Sequence, residues 1–345
     1  MDSRGRFMGT IALLVMGGCT SAQDEFATAQ RLQFGDGGGN NLTQAAALYR
    51  HACDRESGPA CLALGRMVSA GEGAPQSDSV AFEMLKRSCD LKNQEGCVAA
   101  AGALEAGRGV PRDLGQAGYT YRRACDRGNA AACLGLAMLL GRKGAGPVDD
   151  SQLRGLFNTA CDAGLALGCT QLAALTSDPA AAFALHKAAC ERGESEACRR
   201  VGEAYEAGNG TPKDLEAAAA AYGQGCGNGF LSACTALGVN RLGSGKGPDA
   251  SGPLEKACSG GEGHACFLLG SALRKGTAGV AKDEASAISA FKRGCEFGSR
   301  PSCQAVEEVS ARPALDADAC LRRCVPRCRA RKTCLSTCKR ECHKA

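Results

Sequence analysis

The residues of this chain most able to do chemistry are its 23 cysteines. A thiolate is a nucleophile or a metal ligand, and a thiol is half of a disulfide. Spacing helps to decide which. Sixteen cysteines fall into eight pairs: Cys53/Cys61, Cys89/Cys97, Cys125/Cys133, Cys161/Cys169, Cys190/Cys198, Cys226/Cys234, Cys258/Cys266 and Cys295/Cys303. Every pair encloses seven residues, and the pairs recur along the chain at intervals of 29 to 37 residues. Structural zinc favours ligands two to four residues apart, which this pattern lacks. The histidines His51, His186, His264 and His343 are scattered and form no H-x-x-x-H pair. No metal site and no cofactor is expected.

A nucleophile next to a base is no easier to find. Two S-x-x-K quartets occur, Ser289 to Lys292 and Ser336 to Lys339. A serine β-lactamase also needs Ser-Asp-Asn and Lys-Thr-Gly elements. Neither is present, and Lys275-Gly276-Thr277 has the wrong order. No Ser-His-Asp or Cys-His constellation can be assembled, and an oxidised cysteine is not nucleophilic. The glycine-rich stretches lack the Lys-Ser/Thr of a phosphate-binding loop. No catalytic residue is assigned.

The elements that carry the paired cysteines read as helices. In residues 114–142, Ala117, Tyr121, Ala124 and Cys125 share one helical face. Cys133, Leu136 and Leu140 mark the apolar face of a second helix. A glycine stands three places after the first cysteine in six units, at 128, 164, 193, 229, 261 and 298. Glycine readily takes the left-handed conformation that ends a helix. Units one and two carry Glu56 and Lys92 there, so a different turn is expected in them. Four places after the second cysteine, seven units carry a small residue: Gly65, Ala101, Ala137, Ala173, Gly202, Gly238 and Gly270. That lets a neighbouring helix pack close, and Glu307 breaks the rule in the last unit, which has a solvent-facing side. Loops such as Gly107 to Asp113 and Gly208 to Asp214 end one helix with Gly, block it with Pro and cap the next with Asp. An antiparallel helical hairpin brings the two cysteines of each unit within disulfide reach. All eight pairs are therefore expected to be staples, each worth ~2.5 kcal/mol on a chain-entropy model.

The run A-C-D-x-G-x-x-x-A-C-x-x-L-G followed by G-x-G-V-x-x-D resembles the Sel1-like repeat, a relative of the tetratricopeptide repeat. The paired cysteines are similar to those of the cysteine-rich Sel1-like proteins first described from Helicobacter. The resemblance covers residues 42–310 and implies an all-α fold: an α/α solenoid of about eight disulfide-stapled hairpins. It also implies a concave face that binds other proteins. Some cysteine-rich members are described as binding or hydrolysing β-lactams. The resemblance thus raises an alternative, a β-lactam- or peptidoglycan-fragment-binding protein with weak β-lactamase activity.

The termini read differently. Arg4 and Arg6 precede an apolar stretch from Phe7 to Val15, then Met16-Gly17-Gly18 and Cys19. The stretch is too short to span a membrane and fits an export signal. It resembles a bacterial lipoprotein signal over residues 1–19, with Cys19 as the lipidated residue; ordinary cleavage near Ala22 is the alternative. Residues 20–41, with Gly35-Asp36-Gly37-Gly38-Gly39, read as a flexible tether. An exported protein fits the cysteine usage, because disulfides persist in oxidising compartments. The expected location is the outer membrane or periplasm, or outside the cell if secreted.

Residues 311–345 form a basic, cysteine-rich end. Cys320, Cys324 and Cys328 mirror Cys334, Cys338 and Cys342 about Arg331. A spacing of four puts each trio along one helical face. A second, smaller helical hairpin would pair Cys320–Cys342, Cys324–Cys338 and Cys328–Cys334, although six cysteines allow fifteen connectivities and Pro326 interrupts the first arm. Its cations are Arg322, Arg323, Arg327, Arg329, Arg331, Lys332, Lys339, Arg340 and Lys344. From residue 320 on, nine Lys/Arg stand against one Glu, so the rest of the chain is mildly acidic under a total of +5. The tail reads either as a solvated face or as a contact for an anionic membrane or lipopolysaccharide. Nucleic acid is not expected, since no aromatic residue interleaves for base stacking. With 44% apolar residues but only 4% aromatic, the core must be built from small side chains. The expected function is an exported protein-binding scaffold or adaptor of the bacterial cell envelope.

Overall fold

In the computed structural model, the described residues are 21–35, 40–142 and 149–311. They form seventeen α-helices and no strand. The helices are α1 (Ala22–Phe34), α2 (Leu42–Asp54), α3 (Gly58–Ala70), α4 (Asp78–Asp90), α5 (Gln94–Ala106), α6 (Leu114–Cys125), α7 (Ala130–Leu140), α8 (Asp150–Asp162) and α9 (Ala166–Ala174). They continue with α10 (Pro179–Glu191), α11 (Ser195–Ala207), α12 (Leu215–Gly227), α13 (Leu231–Gly243), α14 (Gly247–Ser259), α15 (Gly263–Lys275), α16 (Glu284–Glu296) and α17 (Arg300–Ala311). The chain divides into two compact units, residues 1–168 and 169–345. Within each, consecutive helices pack on one another as a solenoid.

The even-numbered helices α2 to α16 end in the first cysteine of a pair or within two residues of it. The next helix carries the second cysteine in its first turn. Disulfides join Cys53–Cys61, Cys89–Cys97 and Cys125–Cys133 in the first unit. They join Cys190–Cys198, Cys226–Cys234, Cys258–Cys266 and Cys295–Cys303 in the second. Their Cα–Cα distances run from 4.3 to 4.7 Å. Cys161 and Cys169 are disulfide-bonded too.

All eight turns between paired cysteines share one hydrogen-bond pattern, which corrects the expectation for units one and two. Glu56 and Lys92 take positive φ, 67° and 65°, like Gly128 at 88°. The Ser57 and Asn93 amides donate back to the Ala52 and Ser88 carbonyls, as Asn129 does to Ala124. This is the Schellman closure of a helix end. The bonds and the disulfide hold the chain in the turn, and a non-glycine residue bears the steric cost.

The tether expected over residues 20–41 is corrected at residues 22–34. Instead of a tether, Ala22–Phe34 is a helix with a capping box between Ser21 and Asp24. Ala29 is fully buried against α2, and the Phe26 and Tyr49 rings meet at 5.6 Å. Glu25 lies where later units carry their second cysteine. It is buried, accepts from Arg55 at 3.0 Å and lies 2.8 Å from His51 Nδ1. Helix α1 thus takes the place of the second helix of a hairpin, with a charged carboxylate where the later units carry sulfur.

The core is made of knobs in small-residue slots. Leu85, Tyr222, Leu254 and Phe291 lie against Gly65, Gly202, Gly238 and Gly270 of the preceding helix. A Cβ on those glycines would lie 2.4 to 2.9 Å from the neighbouring side chain. The buried hydroxyls are answered in register. Tyr49 Oη donates to Gln33, Tyr121 Oη to Glu105 and Tyr222 Oη to Glu206, each sixteen residues back. Burial raises the Tyr49 and Tyr121 phenols to about 12 and pushes Tyr222 up still further; nearby Glu105 and Glu206 add to the rise in the last two.

In units two, six, seven and eight, neighbouring hairpins are also tied through the residue two places before the first cysteine. Arg87 donates to Asp54, Gln224 to the Cys190 carbonyl, Lys256 to the Cys226 carbonyl and Arg293 to Glu255. Glu307 is exposed on α17.

Candidate functional site

A groove lies on the hairpin of α6 and α7, which the Cys125–Cys133 bridge closes at its tip. It encloses about 660 Å³. Helix α6 lines it with Leu114, Gly118, Tyr119 and Arg122, and α7 with Leu136, Leu139 and Leu140. Arg112 stands just before α6 and Arg142 just after α7. The groove therefore has an apolar floor and a rim of three guanidiniums.

Glu105, at the end of α5, organises part of the rim. Its carboxylate holds Arg142 at 2.5 Å and accepts from Tyr121 Oη at 3.2 Å. Its backbone carbonyl accepts from Arg112 Nε at 3.0 Å. The Arg122 side chain is exposed and makes no hydrogen bond or ion pair to the described residues. Among the described residues, no carboxylate lines the groove.

Two comparable clefts differ in kind. The one bounded by α3, α4 and α5 holds about 510 Å³, and the one between α10 and α11 about 290 Å³. Phe82 and Phe183 line them, each seven residues before its first cysteine, where α6 has Gly118. A carboxylate also lines each, Asp78 in one and Glu203 in the other. Tyr119 departs from its column too. Six places before the first cysteine the other units carry Ala47, Glu83, Gly155, Ala184, Ala220, Gly252 and Ser289. Only this unit places an aromatic ring there, and it is 66% exposed.

The model of the Sel1 repeat matches residues 22–57, 58–93, 95–129, 166–194, 195–222 and 263–296, together more than half of the chain. The chain belongs to the Sel1 repeat family. The Sel1 units begin with the second helix of one hairpin and close with the first helix of the next, so α1 opens the first of them. Among curated proteins, none matches the chain. Among solved structures, the chain is similar to c5321, a protective antigen of uropathogenic Escherichia coli displaying an SLR fold. The two share 20% identity over 94% of this chain and 73% of that one, at a TM-score of 0.67. A Sel1 repeat protein from Oxalobacter formigenes shares 20% identity over 84% of this chain and 86% of its own, at a TM-score of 0.61. Helicobacter pylori cysteine-rich protein B shares 22% identity over 56% of this chain and 94% of that one, at a TM-score of 0.18. The first two likenesses speak to the fold alone.

The other residues singled out in the sequence find quiet places in the Sel1 solenoid. Ser289 and Lys292 are both exposed on α16, and no hydrogen bond joins them. His264 is exposed, and His186 lies half-buried in the α10–α11 cleft, where desolvation lowers its pKa. Among the described residues, no three His, Cys, Asp or Glu side chains group as metal ligands. Gly109 is docked rather than open: a Cβ there would lie 2.0 Å from the Asp78 carbonyl, so its loop seats on the start of α4. Among the described residues, no helix is long and apolar enough to cross a membrane. Cys19 and the tail, with its three expected bridges and its cations, lie outside the described residues. Sequence reasoning missed the α6–α7 groove. Its signal was there in the columns of the Sel1 repeat, as Gly118 against two phenylalanines and Tyr119 against small or polar residues.

Proposed function

We propose that this Sel1 repeat protein is an exported scaffold of the bacterial cell envelope, and that it captures a protein partner at the α6–α7 groove. The observation that carries this is Tyr119. An aromatic ring 66% exposed beside an apolar groove, on a hairpin closed by a disulfide, is a preformed anchor. Successive hairpins stack within the first unit, and the proposed contact extends from this groove along a concave face of that unit. Export is supported by the sixteen disulfide-bonded cysteines among the described residues, which fit an oxidising compartment. The signal-like residues 1–19 support lipid attachment at Cys19, and the cations from Arg322 to Lys344 support a contact with anionic lipid or lipopolysaccharide.

Placing the photo-crosslinking residue p-benzoyl-phenylalanine at position 119 of the full chain in intact cells tests the scaffold reading. A discrete crosslinked protein is expected, absent when the same residue is placed at exposed Gly155. Identical products at both positions, or none at 119, overturn it. Labelled fatty acid should enter the wild-type chain and not Cys19→Ser; equal labelling would refute the anchor.

A further inference from the structure

We infer that the α6–α7 groove selects an acidic peptide segment, one that seats a bulky apolar side chain over Gly118 between flanking carboxylates. This rests on the scaffold reading above and names the chemistry of its partner. The charge is the first argument. Arg112 and Arg122 stand on the rim, and among the described residues no carboxylate lines the groove to neutralise them. Arg122 has no partner among the described residues, and the terminal nitrogens of Arg112 make no hydrogen bond there, its Nε alone reaching the Glu105 carbonyl. A guanidinium presents a planar fork that matches a carboxylate and is more weakly hydrated than an ammonium, so it suits an interface.

The shape is the second argument. Gly118 leaves open the space over Leu139 that a phenylalanine lines at the equivalent place in units two and five. The opening admits one large side chain, with the exposed Tyr119 ring beside it as a lateral wall. A concave cleft of about 660 Å³ takes side chains rather than a flat lipid surface. The basic tail of this chain is a poor occupant, because its arginines would meet the arginine rim.

The test uses the oxidised full-length chain and two fluorescent peptides with the same Leu-Phe centre, one flanked by Glu and Asp, the other by Lys. Fluorescence anisotropy should show the acidic peptide binding about tenfold or more tightly, with the difference shrinking as salt rises. Gly118→Phe should weaken it about tenfold, and the fold tolerates that residue at the equivalent Phe82 and Phe183. Arg122→Glu, at an exposed site with no described partner, should reverse the preference between the two peptides. Equal binding of both peptides, indifference to Gly118→Phe and Arg122→Glu, or binding to anionic vesicles in place of the acidic peptide would overturn the inference. A crosslinked partner at position 119 together with no acidic preference would defeat this inference alone and leave the scaffold standing.

Discussion

The ring of Tyr222 on α12 lies so close to Gly202 on α11 that a methyl group at Gly202 would sit 2.4 Å from ring carbon Cε1. The contact joins two successive hairpins, and its hydroxyl end is fixed by Glu206, which also accepts from Asn240 at 2.7 Å. Gly202→Ala should therefore destabilise the second unit by about 1–3 kcal/mol, the cost of forcing a packed ring aside. Gly223→Ala, at a helix position with nothing within 4 Å, should instead stabilise by ~0.5–1 kcal/mol. Urea unfolding of the oxidised proteins checks both, and equal midpoints would refute the slot.

The turns at Glu56 and Lys92 bear a left-handed backbone on residues with side chains. Glycine has no steric objection to that conformation, whereas other residues lose about 1 kcal/mol or more. Glu56→Gly and Lys92→Gly should each raise the thermal midpoint, and Gly128→Ala should lower it. A fall on either glycine substitution would mean that the lost side chain matters more than the turn.

The disulfides close short loops, so each constrains the unfolded chain modestly. Replacing Cys226 and Cys234 together by alanine should cost about 2–3 kcal/mol. Full reduction should lower the circular-dichroism melting temperature by far more than any single pair. An unchanged melt in dithiothreitol would show that small-residue packing alone holds the solenoid.

Alkaline pH should loosen the same packing. The phenols of Tyr49 and Tyr121 are raised by burial to about 12, so folding favours their protonated forms. Their contribution is present in full below the ordinary tyrosine range near pH 10 and is lost as pH climbs through about 12. Ultraviolet titration should show a late phenolate component that shrinks in Tyr121→Phe. Complete ionisation near pH 10 with the helices intact would contradict the burial.

Much of the fold was legible from spacing. Paired cysteines, the glycine three places on and the small residue four places after the second cysteine each report a local rule of helix ending or close packing. Helix α1 was hidden for a physical reason. It has no cysteine, carries Glu25 in the sulfur position and precedes a glycine run, so its composition reads as a linker until Ala29 is seen buried under α2. Glu56 and Lys92 misled in the same way, because residue type predicts a turn only when tertiary bonds do not override it.

The sequence by itself determined the repeat, the staples and the class of fold, because those follow from interactions between residues close along the chain. Tertiary structure decided which glycine is a slot and which is open, since Gly202 meets Tyr222 and Gly223 meets nothing. It also decided the groove. Gly118, Tyr119 and Arg122 share α6, but the apolar floor comes from α7 and the anchoring of Arg112 and Arg142 from Glu105 on α5. A binding surface depends on distances across helices, and those are set only when the hairpins pack.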